Sequence, residues 1–538
     1  MTRINLTLAA TGVPSRRMVA LSAALALTVG AFSAVSPLPA LAAGCASGIP
    51  GDVNGDGHAE AVVAQGNLSA RSGAVHVFYG QAAGLVADPA GSALDDQYFS
   101  AASAGIPPAM TTEEDFGASN VLADFNDDGC ADLAVGAPNG RGGGRVVVLY
   151  GSAVGLTTAG SQSIAATTVT GSQPGGGFGT ELSSGDLDDD GIADLVVGAP
   201  ATGEQTGGGV GVIYGATGGL GRAGKAPRWL SQATAGVPGT REGADAFGAA
   251  VAVGDFDGDG VADLAVGVPG EDDGSGIVQV LRGRAGTGVS TVGARSFSQN
   301  SSGVADVAEA YDRFGESLAA GDATGDGRDD LAVGAPGEDA FATGESAGEG
   351  GKGVVTFLPG SRTGLSGRGS QRWSQDSAGV AGQSERSDHF GSALVMAPLD
   401  AGPRSDLAIG SPGDSVGAAQ SSGSVTVLLG AGIGLTTAGV GGTLLSQDTP
   451  GMSGTAETND EFGHDLAAPR VQTRTRANLV IGAPQESIGG NALTGQVHQL
   501  AATATGPSAT RTRTFHLDTP GVKGVAGPAE SQFGRDVG

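Results

Sequence analysis

The dipeptide Phe-Gly recurs at Phe116, Phe178, Phe247, Phe314, Phe390, Phe462 and Phe533, at intervals of 62, 69, 67, 76, 72 and 71 residues. A period of this length constrains the fold more than any single motif, because one repeat is one supersecondary unit that must bury its apolar face against its neighbours. After each of the first six pairs comes an acidic loop or a degenerate relative of one. An apolar strand follows, ending in Gly-Ala-Pro or a near match at Gly136, Gly198, Gly267, Gly334, Gly410 and Gly482. A further β-branched run comes next in most copies, as in "GRVVVLYG" from Gly144 and "GSVTVLLG" from Gly423. With the segment leading to the next Phe-Gly, each repeat holds about four short strands, the content of one propeller blade. The 99 glycines and the 4% aromatic content agree with an all-β chain of many turns and several small cores.

The first acidic loop, at Asp52, has no Phe-Gly before it, and Phe533-Gly534 has no acidic loop after it. The two halves complete one repeat. The expected fold is a seven-bladed β-propeller over residues 44–538 in which blade 1 is closed by the C-terminal strand, so that no sheet edge is left open. A reading frame that stops short of a further repeat is the alternative.

Five loops align on their first Asp: "DVNGDGHAE" from Asp52, "DFNDDGCAD" from Asp124, "DLDDDGIAD" from Asp186, "DFDGDGVAD" from Asp255 and "DATGDGRDD" from Asp322. Positions one, three, five and nine offer side-chain oxygens, and the Gly at position six permits a sharp turn that brings them together. The donors are Asp52, Asn54, Asp56 and Glu60; Asp124, Asn126, Asp128 and Asp132; Asp186, Asp188, Asp190 and Asp194; Asp255, Asp257, Asp259 and Asp263; Asp322, Thr324, Asp326 and Asp330. The carbonyls of His58, Cys130, Ile192, Val261 and Arg328 at position seven add one more oxygen each. Several hard oxygens of high negative charge suit Ca2+ better than Zn2+ or Mg2+, giving about five structural Ca2+ sites. Position twelve, where an EF-hand places its bidentate acid, is Val63, Val135, Val197, Val266 or Val333, so each loop joins two strands and not two helices. The bland alternative for any one loop is a solvated hairpin. Two repeats, near 390–406 and 462–478, have degenerate loops: "PLDAGPRSD" keeps only Asp400 and Asp406, and "RVQTRTRAN" is basic.

The Phe-Gly pair, the DxDxDGxxD-type loop and the Gly-Ala-Pro tripeptide at this spacing resemble the FG-GAP repeats of the integrin alpha-subunit head, over nearly the whole chain after residue 45. The resemblance implies a seven-bladed propeller with Ca2+ in the loops of one face, in extracellular proteins of adhesion and ligand recognition. Integrin heads carry fewer such sites and add a partner subunit and leg domains, which nothing here supplies. FG-GAP propellers also resemble the accessory domain of glycosylphosphatidylinositol-specific phospholipases, which implies a secreted hydrolase of phosphodiesters or glycans as the competing function.

Arg3, Arg16 and Arg17 precede the apolar stretch "MVALSAALALTVGAFSAV", and Ala40-Leu41-Ala42 supplies small residues at a cleavage spacing. Residues 1–43 therefore read as an export signal, with a membrane anchor as the alternative. Their removal takes away three Arg and no acid, moving the formal charge from −28 to −31. Such a surface repels nucleic acid and attracts cations. No second membrane span is expected, and a secreted or cell-surface monomer whose partner is an extracellular protein or glycan is the reading that follows. Cys45 and Cys130 are the two cysteines. In an exported chain they form one disulfide, or else Cys45 carries the lipid of a lipoprotein.

No catalytic constellation emerges. Ser346 and Ser415 each sit in a GxSxG match, which a glycine-rich chain produces by chance, and neither follows a strand leading into a helix. The six His are scattered; His389 and His464 lie beside Phe-Gly positions. Trp229, Phe297, Trp373 and Leu445 are read as one repeat position that packs between strands, in preference to a sugar-stacking platform. The long connection Gly337–Gly353 is the expected binding loop.

Overall fold

In the computed structural model the described residues are Cys45 and 48–538, less 67–72, 88–95, 108–113, 141, 172–175, 201–206, 223, 339–349, 440 and 524–529. The export-signal stretch 1–43, Ser346 and most of the Gly337–Gly353 connection lie outside them. The chain forms seven antiparallel sheets, which are the seven blades of a β-propeller. Blade 4 shows the pattern: Val251–Gly254, Asp263–Val268, Ile277–Arg282 and Ser290–Phe297, each strand paired with the next. Blade 1 is built from both ends of the described chain, in the order Phe533–Val537, Ala61–Gln65, Ala74–Phe78, Gln97–Ser100. Val63 faces Val537 across that seam, and the Val62 amide donates to the Gly538 carbonyl at 2.7 Å.

The core is divided among the blade interfaces, as the low aromatic content requires. Val147 and Leu149 of blade 2 pack on Val62 and Val75 of blade 1, and Phe78 of blade 1 packs on Phe515 of blade 7. Each Phe of a Phe-Gly pair is buried as a wedge between two blades.

The two glycines of the repeat motif are explained by one contact. Gly248, with φ 88°, donates its amide to the Gly267 carbonyl of the same blade at 3.0 Å. The Gly315 carbonyl of the next blade approaches Gly267 so closely that a Cβ there would stand 1.9 Å from it. Adjacent blades therefore touch backbone to backbone at Phe-Gly and Gly-Ala-Pro, which only glycine permits. The relation recurs around the ring: a Cβ on Gly136 would meet the Gly179 carbonyl at 2.0 Å and one on Gly482 the Gly534 carbonyl at 2.0 Å.

One repeat position needs correction. Phe297, Trp373 and Leu445 face Val278, Val355 and Val425, but in blade 3 it is Leu230 that faces the equivalent Val210. Trp229 is displaced by one residue and covers Gly209, where a Cβ would lie 2.1 Å from the indole. A shift of one residue in a strand turns the side chain to the opposite face. "RWLSQ" thus carries Leu230, not Trp229, at the packing position.

Candidate functional site: the acidic loops and the axis

All five loops turn in the same way. The carboxylate at position one gathers the backbone amides of its own loop: Asp255 accepts from Gly258 at 2.7 Å, Asp259 at 3.2 Å and Gly260 at 2.9 Å. Asp52, Asp124, Asp186 and Asp322 make the matching bonds to Gly57, Gly129, Gly191 and Gly327 at 2.8–2.9 Å. Position five fixes the exit of the turn, as Asp259 accepts from Val261 at 3.0 Å. These short-range bonds fix the shape of each turn.

Three loops bring three acids together, with one oxygen from each within 4.8 Å of the others. They are Asp52, Asp56 and Glu60; Asp186, Asp188 and Asp194; and Asp255, Asp257 and Asp259. Among the described residues the loops from Asp124 and Asp322 form no such group. Their third positions are Asn126, whose amide donates to Asp128 at 3.1 Å, and Thr324, whose hydroxyl donates to Asp322 at 3.3 Å. Buried oxygens without a hydrogen-bond partner occur at Glu60 Oε1, Asp188 Oδ1 and Asp263 Oδ2. An unpaired buried carboxylate oxygen is costly, and a hard cation is the partner that these donor sets fit.

Two basic residues reach the loops from the third strand or the segment after it. Lys225 pairs with Asp188 and Arg282 with Asp257. Sequence spacing does not show them, since they lie 37 and 25 residues from their partners. A third, Arg328, pairs with Asp326 inside its own loop.

Position nine has a second role that the loop motif conceals. Asp132 accepts from Phe125 at 3.0 Å and from Gly151 at 2.9 Å, tying the loop to the end of the third strand. Asp194, Asp263 and Asp330 reach Gly215, Gly283 and Gly360 in the same way at 2.8–2.9 Å. Asp406, in a degenerate loop, accepts from Leu399 at 2.9 Å, Asp400 at 3.0 Å and Gly430 at 2.9 Å. The residue therefore fastens the loop whether or not the other acids are present. Burial pushes the carboxyl of Asp132 up to about 8, those of Asp194 and Asp263 to about 7, and those of Asp330 and Asp406 to about 6. Glu60 is raised well above the usual range by burial, and the charges of Asp52 and Asp56 add to this.

The cysteines join this region. Cys45 is bonded to Cys130, which occupies position seven of the second loop, so the disulfide reading holds and Cys45 has no free thiol in this structure. His58 at the same position of the first loop shares a hydrogen bond through Nδ1 with the Val471 carbonyl at 2.6 Å, next to the degenerate loop of blade 7.

A second group lies on the innermost strands around the propeller axis. Glu181, Asp465 and Asp536 stand three residues after a Phe of a Phe-Gly pair in blades 3, 7 and 1. Burial raises the Glu181 carboxyl to about 8, with the charge of Asp465 adding to it. Asp465 and Asp536 are raised for the same leading reason, and Asp536 hydrogen-bonds Asn120. Beside them His464 contacts Glu461 at 3.1 Å. Ser415 follows a strand that leads into a turn, so no nucleophile elbow forms there.

A family model described as the FG-GAP repeat matches residues 116–149, 178–214, 247–281 and 314–358. The chain is an FG-GAP repeat protein with an integrin-alpha-like propeller. It is 36% identical to human integrin alpha-X over 213 residues, which cover 39% of this chain and 17% of the integrin. Integrin alpha-5 of Xenopus laevis is 36% identical over 174 residues, covering 31% of this chain and 16% of that one. Mouse phosphatidylinositol-glycan-specific phospholipase D is 43% identical over 86 residues, covering 15% of this chain and 10% of the phospholipase. The match thus spans less than a fifth of each relative's length. Among the described residues no helix is long and apolar enough to cross a membrane.

Proposed function

We propose that residues 1–43 direct export and that residues 44–538 act outside the cell as a calcium-braced recognition module for a protein or glycan. The observation that carries the reading is the convergence of three carboxylates in the loops from Asp52, Asp186 and Asp255, with buried oxygens that have no donor. Calcium would be held by the side chains at positions one, three, five and nine together with the position-seven carbonyl. Bound there, it neutralises the clustered charge and fixes a turn between two strands, and the loops themselves do the orienting. Similarity to integrin alpha-X and alpha-5 supports a divalent cation and an extracellular setting.

Thermal unfolding of the mature chain with about 2 mM Ca2+ and then with excess chelator tests this, beside metal analysis of the purified protein. Loss of stability on chelation, with about five Ca2+ bound in the acidic loops, is the expected result. Unchanged melting without bound metal sinks it. Binding to arrayed glycans and cell-surface proteins then identifies the ligand class.

A second reading is a hydrolase acting at the axis. The cluster of Glu181, Asp465 and Asp536 and the match to a phospholipase support it. Turnover of phosphodiester or glycan substrates, abolished by Asp465→Asn, would favour this reading over recognition alone.

A further inference from the structure

Four consecutive repeats share a pattern outside the acidic loops: a Gln, a Glu ten residues later, an Asp three after that, and an acid 26 further on. The copies are Gln232, Glu242, Asp245, Glu271; Gln299, Glu309, Asp312, Glu338; Gln375, Glu385, Asp388, Asp414; and Gln447, Glu457, Asp460, Glu486. The spacing is constant although the repeats differ in length. The first strand of a blade runs from its Phe-Gly to its acidic loop, and the antiparallel second strand returns. These residues follow the second or fourth strand or precede the first, so they occupy the propeller face opposite the acidic loops.

The four segments meet in space. Each Asp accepts a backbone bond from the Glu three residues before it, at 2.5–2.6 Å. Each Gln, contributed by the preceding blade, donates its amide to the final acid: Gln232 to Glu271 and Gln299 to Glu338 at 2.5 Å, Gln375 to Asp414 at 3.0 Å, and Gln447 to Glu486. In two copies, Glu309 with Asp312 and Glu338, and Glu457 with Asp460 and Glu486, one oxygen from each acid lies within 4.8 Å of the others. The independent observation is the far end of each amide. Oε1 of Gln232, Gln299, Gln375 and Gln447 is buried and accepts no hydrogen bond, on side chains no more than 5% exposed. One such orphan is an accident; four at one repeat position are a design.

We propose that these clusters are a second ring of divalent-cation sites, independent of the acidic loops and seated between blades. Turning the amide by half a revolution places Oε1 where Nε2 now faces the acid. Two oxygens in that position repel unless a cation lies between them, and then the amide oxygen, the Asp and the two outer acids form a hard-oxygen donor set of the kind Ca2+ takes. The site at Asp460 and Glu486 is the strongest of the four. At the copy in blade 5, Arg372 Nη2 stands 3.5 Å from Glu338 Oε1 and already supplies positive charge. Because the Gln belongs to one blade and the acids to the next, binding would lock adjacent blades together.

Crystals of the unmodified protein soaked in Tb3+ test this without a substitution. An anomalous peak about 2.4 Å from carboxylate oxygens of Asp460 and Glu486 is expected. No peak there while the acidic loops are filled overturns the proposal. Peaks there with the acidic loops empty support it and count against the loop reading instead. In solution, 45Ca2+ equilibrium dialysis of the full chain with Asp460→Asn and Glu486→Gln should show one ion fewer at saturation. Gln447→Ala, which keeps every acid, should weaken that one site about tenfold. An unchanged stoichiometry and affinity in folded variants overturns it.

Discussion

The backbone amide of Ala59 donates to the carbonyl of Arg470 at 3.1 Å, joining the first acidic loop to the degenerate loop of the last repeat. The same bond links every neighbouring pair: Ala131 to Asp52, Ala193 to Asp124, Ala262 to Asp186, Asp329 to Asp255, Ser405 to Asp322 and Ala477 to Pro398, at 2.8–3.2 Å. In each case position eight of one loop reaches position one of the loop before it. Seven bonds make a closed circle, and the two degenerate loops take part as fully as the acidic ones. The frame that carries the acids is therefore built by the backbone, and the side chains add charge to it.

A closed circle makes the terminal seam equivalent to any internal interface. Phe533 packs edge-on to Phe78 with ring centroids 6.2 Å apart, in the manner of an internal wedge such as Phe247. Phe533→Ala and Phe247→Ala are each expected to cost about 3–5 kcal/mol in urea unfolding. A loss below about 1 kcal/mol for Phe533 alone would mean that the ring opens at its seam in solution.

The acid at position nine should separate from those at positions one to five. Asp406→Ala leaves the amides of Leu399, Asp400 and Gly430 without their acceptor in a loop that has lost most of its acids, and should cost about 3 kcal/mol with or without Ca2+. Asp259→Asn keeps its size and the acceptor for the Val261 amide, and should matter only when Ca2+ is present. Denaturant unfolding of both variants, with calcium and with chelator, reads the difference. Equal calcium dependence in the two would erase the distinction.

How much of this was legible is clear from particular residues. Phe-Gly and Gly-Ala-Pro announce the blades because a backbone contact between neighbours admits only glycine at Gly248 and Gly267, a local requirement that sequence displays directly. Loop chemistry was legible for the same reason, since Asp255 to Asp263 lie within one turn. The partners were not. Lys225 and Arg282 reach their acids from other strands, and Trp229 was misplaced because one extra residue changes the face without changing the motif. Gln447 and Glu486 stand 39 residues apart, and only the constancy of that interval in four repeats signals the pair.

The Cys45–Cys130 bond spans a sequence separation of 85 and ties the start of the described chain to the second loop. In the chain-entropy account, closing a loop of that length is worth about 4–5 kcal/mol. Cys45→Ser with Cys130→Ser, or treatment with a reductant, should lower the melting temperature by several degrees. Melting that ignores reductant would show that the crosslink is not made in solution.

The axial acids set a pH dependence of definite sign. Burial, with the charge of Asp465 added, raises the Glu181 carboxyl from its ordinary 4.5 to about 8, so the folded protein holds this proton over a range where the unfolded chain has released it. Stability from this group is complete below pH about 4.5 and declines as pH rises toward 8, the slope following the excess of protons bound by the folded state. Asp465 and Asp536 shift in the same direction, while neighbouring His464 and Arg535 moderate the repulsion. In chelator, melting temperature should therefore fall between pH 5 and pH 8. Glu181→Gln, which removes the titration and keeps the shape, should flatten that fall and raise the melting temperature at pH 8 relative to the unmodified chain. A steeper fall in the variant, or a melting temperature that rises with pH in the unmodified protein, would show that the axial carboxylates are ionised and neutralised by something other than protons.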